Sequence, residues 1–355
     1  MSYIRKFYIL LYGKVMNNLL MNPKISSSSK CAVIGYGSWA TAIVKLLCEN
    51  ESKVWWHVAN PTVRESLQSR GHNHKYLPSL SFNKEKIVVS DNLNEVIEAA
   101  DIIILATPSA FLMNVLEPLT VSLEGKFIVS AIKGIIPDGY QTVSEYMHEH
   151  YGLPYDNLGV ITGPTHAEEV AQECLSYLTV ACKSLENAEQ LACKFATSFI
   201  VTKASTDIYG LEYVGVLKNI YAMMVGVARG VGYGDNFTAV LVANAANETL
   251  RFMNETYPFE RNTNVSAFLG DLLVTSYSQF GRNRAFGIMI GKGYSVLSAK
   301  MELRMVAEGY YSAACIHHIN ERFKVDLPIA DALYKILYEG RSARNVLREL
   351  SKKLL

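Results

Sequence analysis

Between Lys30 and Lys203 the chain alternates short apolar runs with longer stretches in which apolar residues recur every three or four positions. The runs are Cys31 to Ile34, Lys53 to His57, Ile87 to Ser90, Ile102 to Ala106, Phe127 to Ile132, Gly159 to Thr162, Leu178 to Cys182 and Phe199 to Lys203. Several close on turn residues, such as Thr107 and Pro108 or Lys133 and Gly134. Short apolar runs between helical segments are the pattern of parallel strands buried on both faces. The first intervening stretch, Trp39 to Glu49, reads as a helix and makes a βαβ opening. After Asp207 long helical stretches take over, beginning with Tyr209 to Val231 and Asn236 to Phe252. The expected fold is an N-terminal α/β, doubly wound sheet over residues 30–206, followed by an all-α C-terminal domain over 207–355, with the site between them.

Residues 1–29 fit neither pattern. Arg5, Lys6 and the apolar stretch Phe7 to Tyr12 loosely imitate a signal peptide, but Lys14 interrupts it and no clean small-residue cleavage site follows. Met16 and Met21 precede a Ser-rich stretch and offer later starts. The segment is expected to be an extension, disordered or wrongly assigned to the start of the chain.

At 355 residues the chain exceeds the roughly 250 to 300 at which single cores stop growing, which supports two domains. Half the residues are hydrophobic and 19% are charged, as in ordinary globular proteins. A net charge of +1 gives no reason to expect nucleic acid or an anionic membrane as partner, so anion recognition must be local. No apolar run reaches the roughly 18 residues of a membrane span. Six cysteines without a C-x-x-C pair or companion histidines read as reduced thiols in a cytoplasmic protein, with no metal site.

The turn after the first strand carries the clearest chemistry. Gly35-Tyr36-Gly37-Ser38-Trp39-Ala40 fits G-x-G-x-x-G/A between a strand and a helix, the Rossmann dinucleotide fingerprint. Gly35 permits the tight turn, Gly37 lets the backbone approach a pyrophosphate, and Ala40 keeps the helix close to the strand. Free N–H groups and the helix dipole hold the anion. Without the βαβ context the same glycines would be only a turn. An NAD site usually places an acid on the ribose about 20 residues later, but this chain reads Trp55-Trp56-His57-Val58-Ala59-Asn60. His57 or Arg64 could approach a 2′-phosphate, or His57 could be a surface histidine without a role, so the expected cofactor is NAD or NADP.

Hydride transfer at a carbinol needs a group that moves the hydroxyl proton. Lys133 ends a strand, where ligands bind in open α/β sheets, with Gly134 leaving the backbone accessible. Lys218 lies in an apolar helical stretch that would lower its pKa. The plainer readings are a solvated strand end for Lys133 and a snorkelling side chain for Lys218. Arg282 and Asn283 offer several donors to a phosphate, and Asp271 could orient a lysine or accept substrate hydroxyls. An Arg-Asn-Arg loop is also commonly a solvated turn.

In order along the chain come Gly35 to Ala42, Lys133-Gly134, Gly163-Pro164-Thr165-His166-Ala167-Glu168-Glu169, Lys218-Asn219, Gly270-Asp271-Leu272, Arg282-Asn283 and Val306-Ala307-Glu308-Gly309. This series, spanning residues 31 to about 310, resembles bacterial NAD(P)-dependent glycerol-3-phosphate dehydrogenase. The resemblance implies reduction of dihydroxyacetone phosphate to sn-glycerol 3-phosphate, the glycerophospholipid precursor, and its reversal. It implies Lys218 as the proton acceptor, with Lys133, Gly163, Thr165, Asp271, Arg282 and Asn283 around the substrate. Ser38, Trp39, Ala167, Arg282 and Glu308 would touch the cofactor, with Lys133 beside them. A homodimer follows only from the family, because an apolar helical domain can be covered within one chain or by a second copy.

Two positions depart from the family pattern. Gly281 stands where serine usually precedes Arg-Asn, and Val58 stands where relatives often carry a basic residue for a 2′-phosphate. Two other readings compete: a different two-domain dehydrogenase of the 3-hydroxyacid, ketopantoate or sugar-nucleotide type, and a non-catalytic dinucleotide-binding redox sensor. Both lysines and the arginine weigh against the sensor, which would need only the glycine turn.

Overall fold

A computed structural model describes residues 24–303 and 306–354. The eight apolar runs become β1 (Cys31–Ile34), β2 (Val54–His57), β3 (Ile87–Ser90), β4 (Ile102–Leu105), β5 (Phe127–Ser130), β6 (Leu158–Thr162), β7 (Ser176–Cys182) and β8 (Ile200–Ser205). They form one sheet in the order β3-β2-β1-β4-β5-β6-β7-β8. β1 and β4 are buried at every position, and apolar layers cover both faces of the sheet, as expected for the Rossmann fold. The order reverses between β1 and β4, and the crevice beyond their C-terminal ends is where such sheets bind ligands.

The sheet differs from the expectation of uniformly parallel strands at β7, which runs antiparallel to β6, with Gly159 facing Cys182 and Thr162 facing Thr179. The connection contains only the five-residue helix Ala167–Ala171. At about 1.5 Å per residue that helix is too short to carry the chain back along β6, so the chain pairs on its way back instead. β8 is parallel to β7.

The helical part is organised around the 24-residue helix Ile208–Val231, in which every residue from Gly210 to Ala228 is buried. Its length and hydropathy would suit a membrane, but 83% of its apolar window is covered by protein, which makes it a core helix. Its N-cap Asp207 accepts from Gly210 N and from both Nε (2.8 Å) and Nη2 (3.0 Å) of Arg261. Helix Arg282–Gly291 lies against it at very short range. A Cβ on Gly226 would strike the Arg284 carbonyl, one on Gly287 the Met223 carbonyl, and one on Gly291 the Val227 carbonyl. Glycines on both helices thus permit backbone contact, which fixes Arg282 and Asn283 relative to Lys218.

Residues 1–23 of the expected extension lie outside the described residues. Within residues 24–29, Ile25 and Ser29 are buried and the others exposed. Ile25 is buried and its N–H donates to Asn187 Oδ1 at 3.1 Å. The buried Lys194 ammonium takes Ser27 O (3.2 Å), Ser29 O (2.9 Å) and Glu51 Oε1 (2.7 Å). Carbonyls from this Ser-rich stretch help satisfy a buried charge.

Candidate active site

At the end of β1, Gly35 adopts φ +125°, and a Cβ there would lie 2.5 Å from Ala106 O on the neighbouring β4 connection. Only glycine fits. Gly37 is the N-cap of helix Ser38–Asn50, makes no side-chain cap, and has open space where a Cβ would point. First-turn N–H groups are therefore available to an anion, and among the described residues no atom fills the space beside Gly37. Ala40 is fully buried behind the turn. This cradle fits the pyrophosphate of a dinucleotide.

A cleft of about 230 Å³ opens beside the turn. Gly37, Ser38, Trp39, Lys133, Thr165, Ala167, Lys218, Asp271, Arg282, Asn283 and Glu308 all line it, so residues scattered over most of the sequence converge there. Gly35 lines the adjoining pocket with Tyr36, Tyr76 and Phe111. Gly163 contributes its carbonyl, which accepts from Lys133 Nζ at 3.1 Å. At φ +134° and against the Tyr177 carbonyl, Gly163 also has no room for a side chain.

Lys218 is more enclosed than Lys133, with 4% of its side chain exposed against 18%. Its Nζ lies 2.5 Å from Asp271 Oδ1, while Lys133 Nζ lies 3.9 Å from Asp271 Oδ2. One carboxylate stands between two ammonium groups. Asp271 begins helix Asp271–Tyr277 directly after a π-helical turn, Ser266–Gly270, an irregularity often found at functional sites. Thr162 Oγ1 donates to its Oδ2 at 3.4 Å, and Thr275 Oγ1 lies 3.4 Å from Oδ1. Burial, helped by the Lys133 charge and opposed by Asp271, lowers the Lys218 pKa to about 7.

Lys133 leads a chain of bonds into the interior. Its carbonyl accepts from Asn219 Nδ2 (2.7 Å), Asn219 Oδ1 accepts from Asn283 Nδ2 (2.9 Å), and Asn283 Oδ1 accepts from Gly309 N (2.9 Å). Asn283, expected beside the substrate, thus spends its side chain on tying helices together at the cleft wall. The Lys133 ammonium lies 5.3 Å from the centroid of the Trp39 ring, whose Nε1 donates to Ala131 O at 3.1 Å. Arg282 Nη2 donates to Ser38 Oγ at 3.2 Å, joining the two halves across the cleft. Glu308 does the same from the other side, accepting from Ser109 N (2.9 Å) and Ser109 Oγ (2.6 Å). Burial raises its pKa despite those bonds.

His57 is not among the converging residues. Its ring is buried at the end of β2, Nε2 sits 3.2 Å from Asp91 O, and burial lowers its pKa, so it is not poised as a cation. Gly281 keeps an ordinary φ of −69° at the N-cap of helix Arg282–Gly291 and lines the cleft. Sequence reasoning assigned no role to Asn219, Thr162, Thr275, Ser109 or His166. His166 lines the cleft with a buried Nε2 that has no partner among protein atoms, and burial together with Lys133 and Lys218 lowers its pKa. Its place in the Gly163 to Glu169 motif was the available signal. Among the described residues no group of three or more His, Cys, Asp or Glu side chains could hold a metal ion.

Two family models match the chain, the NAD-dependent glycerol-3-phosphate dehydrogenase N-terminus over residues 30–188 and the C-terminus over 207–348. A relative from Syntrophomonas wolfei named glycerol-3-phosphate dehydrogenase [NAD(P)+] is 34% identical over 329 residues, 91% of this chain and 95% of the relative. One of the same name from Chlorobium phaeobacteroides is 32% identical over 323 residues, 90% and 96% of the two chains. Among solved structures, glycerol-3-phosphate dehydrogenase from Coxiella burnetii matches with a TM-score of 0.84 at 25% identity, covering 91% of this chain and 99% of that one.

Proposed function

The chain belongs to the NAD-dependent glycerol-3-phosphate dehydrogenase family, and from that premise we propose how its cleft interconverts dihydroxyacetone phosphate and sn-glycerol 3-phosphate with NAD or NADP. The observation that carries the reading is the buried Lys218–Asp271 pair lining the same cleft as the glycine turn. When bound, the nicotinamide supplies or accepts the hydride at the substrate's central carbon. Lys218 gives its proton to the carbonyl oxygen during reduction and takes the hydroxyl proton during oxidation. A pKa lowered to about 7 makes both forms of its side chain accessible near neutrality. Asp271 orients the ammonium, and Lys133 adds positive charge beside the polarised oxygen.

Arg282 at the first turn of its helix is the proposed phosphate ligand, assisted by that turn's uncapped N–H groups and by Gly281 through its backbone N–H. Gly163, Thr165 and Asn283 complete the substrate wall. Ser38, Trp39, Ala167 and Glu308 border the cofactor. Residues 30–206 are read as the dinucleotide-binding domain and 207–355 as the substrate-binding domain, supported by the last strand ending at Ser205 and the core helix starting at Ile208. Cytoplasmic operation is supported by the six unpaired cysteines. A homodimer is supported by the exposed apolar side chains Tyr257, Val265, Leu273 and Tyr277 of the helical domain, and sedimentation would test it.

The test of the activity is oxidation of NADH or NADPH on adding dihydroxyacetone phosphate to the purified protein, with unphosphorylated dihydroxyacetone as control. Oxidation with the phosphate ester alone is the expected result. No oxidation with either cofactor would return the other dehydrogenase classes or the sensor to consideration.

A further inference from the structure

The end of β2 touches the glycine turn directly, since Gly35 N donates to His57 O at 3.3 Å. In this fold the adenosine ribose of a dinucleotide lies at that strand end. The residues there, Val58, Ala59 and Asn60, bring no charge, and the Asn60 side chain is occupied in capping helix Pro61–Arg70 through Val63 N. Charge arrives from neighbouring elements instead. Arg64 folds back from that helix, donates from Nη1 to Val58 O at 3.3 Å, and meets Asp91 Oδ2 at 3.0 Å. Asp91 immediately follows β3, and Val58 N donates to Ser90 O at 2.9 Å, which fixes the two strand ends side by side. Glu95 adds a second carboxylate, accepting from Ser90 Oγ at 3.2 Å. His57 is buried beside the pair, with Nε2 3.2 Å from Asp91 O, and burial holds it toward its neutral form. Counting the groups just named, one guanidinium faces two carboxylates, so the strand end carries no surplus positive charge.

We propose that the Arg64–Asp91 ion pair is the cofactor-specificity element of this enzyme, committing Arg64 to a carboxylate and so favouring NAD(H) over NADP(H). This rests on the dehydrogenase reading above. A 2′-phosphate brings close to two negative charges and needs an uncommitted cation, whereas Arg64 is already paired and hydrogen-bonded to the backbone. The Asp91 carboxylate is more than half exposed, so it can also accept a ribose hydroxyl and repel a phosphate. Val58 fits this scheme, because an apolar residue at the strand end leaves discrimination to the pair behind it.

The experiment compares kcat/KM for NADH and NADPH, with dihydroxyacetone phosphate as substrate, in the wild type, Asp91→Asn and the double variant Asp91→Asn/Arg64→Ala. The wild type is expected to favour NADH by at least about tenfold, and Asp91→Asn to shift the ratio toward NADPH by at least about tenfold, the scale of one unmasked charge at this range. Removing Arg64 as well should abolish the shift. A wild type that prefers NADPH, or a ratio unmoved by Asp91→Asn, would overturn the proposal. Absence of turnover with both cofactors would count against the dehydrogenase reading instead. In that event calorimetry of ADP against its 2′-phosphorylated form decides the question: tighter ADP binding that converges in Asp91→Asn supports the pair, and equal binding by the wild type overturns it.

Discussion

Lys218 Nζ and Asp271 Oδ1 meet at 2.5 Å in the cleft, with only 4% and 1% of their side chains exposed. Burial and the neighbouring Lys133 push the lysine toward its neutral form, and the aspartate pulls it back. Asp271 therefore holds the Lys218 pKa above where burial and Lys133 alone would leave it. Replacing it by asparagine removes the group that raises the lysine pKa. Reduction requires protonated Lys218, so its rate falls as pH rises through that pKa. In Asp271→Asn this fall is expected at lower pH than in the wild type. An unshifted profile would show that the aspartate does not tune the lysine.

Lys218→Ala is expected to lower kcat by at least about a hundredfold while changing cofactor affinity little, because the side chain moves a proton and does not hold the dinucleotide. Near-normal turnover in this variant would remove Lys218 from the mechanism. Dinucleotide titration of the same variant separates loss of chemistry from loss of fold.

Arg282 reaches across to Ser38 Oγ at 3.2 Å while lining the cleft. Arg282→Ala is expected to raise the Michaelis constants for dihydroxyacetone phosphate and for the cofactor, by about tenfold or more on the scale of a lost charge-assisted hydrogen bond. Constants that stay at wild-type values would contradict its role as a phosphate ligand.

Gly226 tests whether helix proximity fixes the site. A side chain there meets the Arg284 carbonyl, backbone that cannot rotate aside. Gly226→Val is expected to destabilise the protein by about 1–3 kcal/mol, the usual cost of overpacking, and to lower kcat by displacing Arg282 and Asn283. Thermal unfolding and kinetics on one preparation check both effects. Unchanged stability would show that the two helices can separate freely.

The parts of this site that depend on local backbone were legible in the sequence. Gly35 and Gly37 announce themselves because a strand, a tight turn and a helix follow one another within a few residues, and Lys133 is marked by the strand that it ends. Lys218 stands out as a charge in an apolar helix. Partnerships between distant segments were not legible. Asn219 bonds Lys133 O across 86 residues of chain, and Glu308 bonds Ser109 across 199. His57 read from the sequence either as a group near a 2′-phosphate or as an idle surface histidine, and its burial with Nε2 3.2 Å from Asp91 O depends on a segment 34 residues away. The reversal at β7 escaped for a similar reason, since an apolar run records burial and not direction. Asp271 and Arg282 were candidates from their own chemistry, but turn and helix-start positions do not distinguish a ligand from a solvated side chain, and the family resemblance was needed to give them roles.

The most direct measurement of the central claim is kcat/KM against pH in both directions on the wild type. If Lys218 carries the proton, reduction of dihydroxyacetone phosphate falls as pH rises through about 7, oxidation of sn-glycerol 3-phosphate falls as pH drops through the same region, and both limbs report one group. Profiles flat across neutrality in both directions would contradict the assignment of the buried lysine as the enzyme's acid and base.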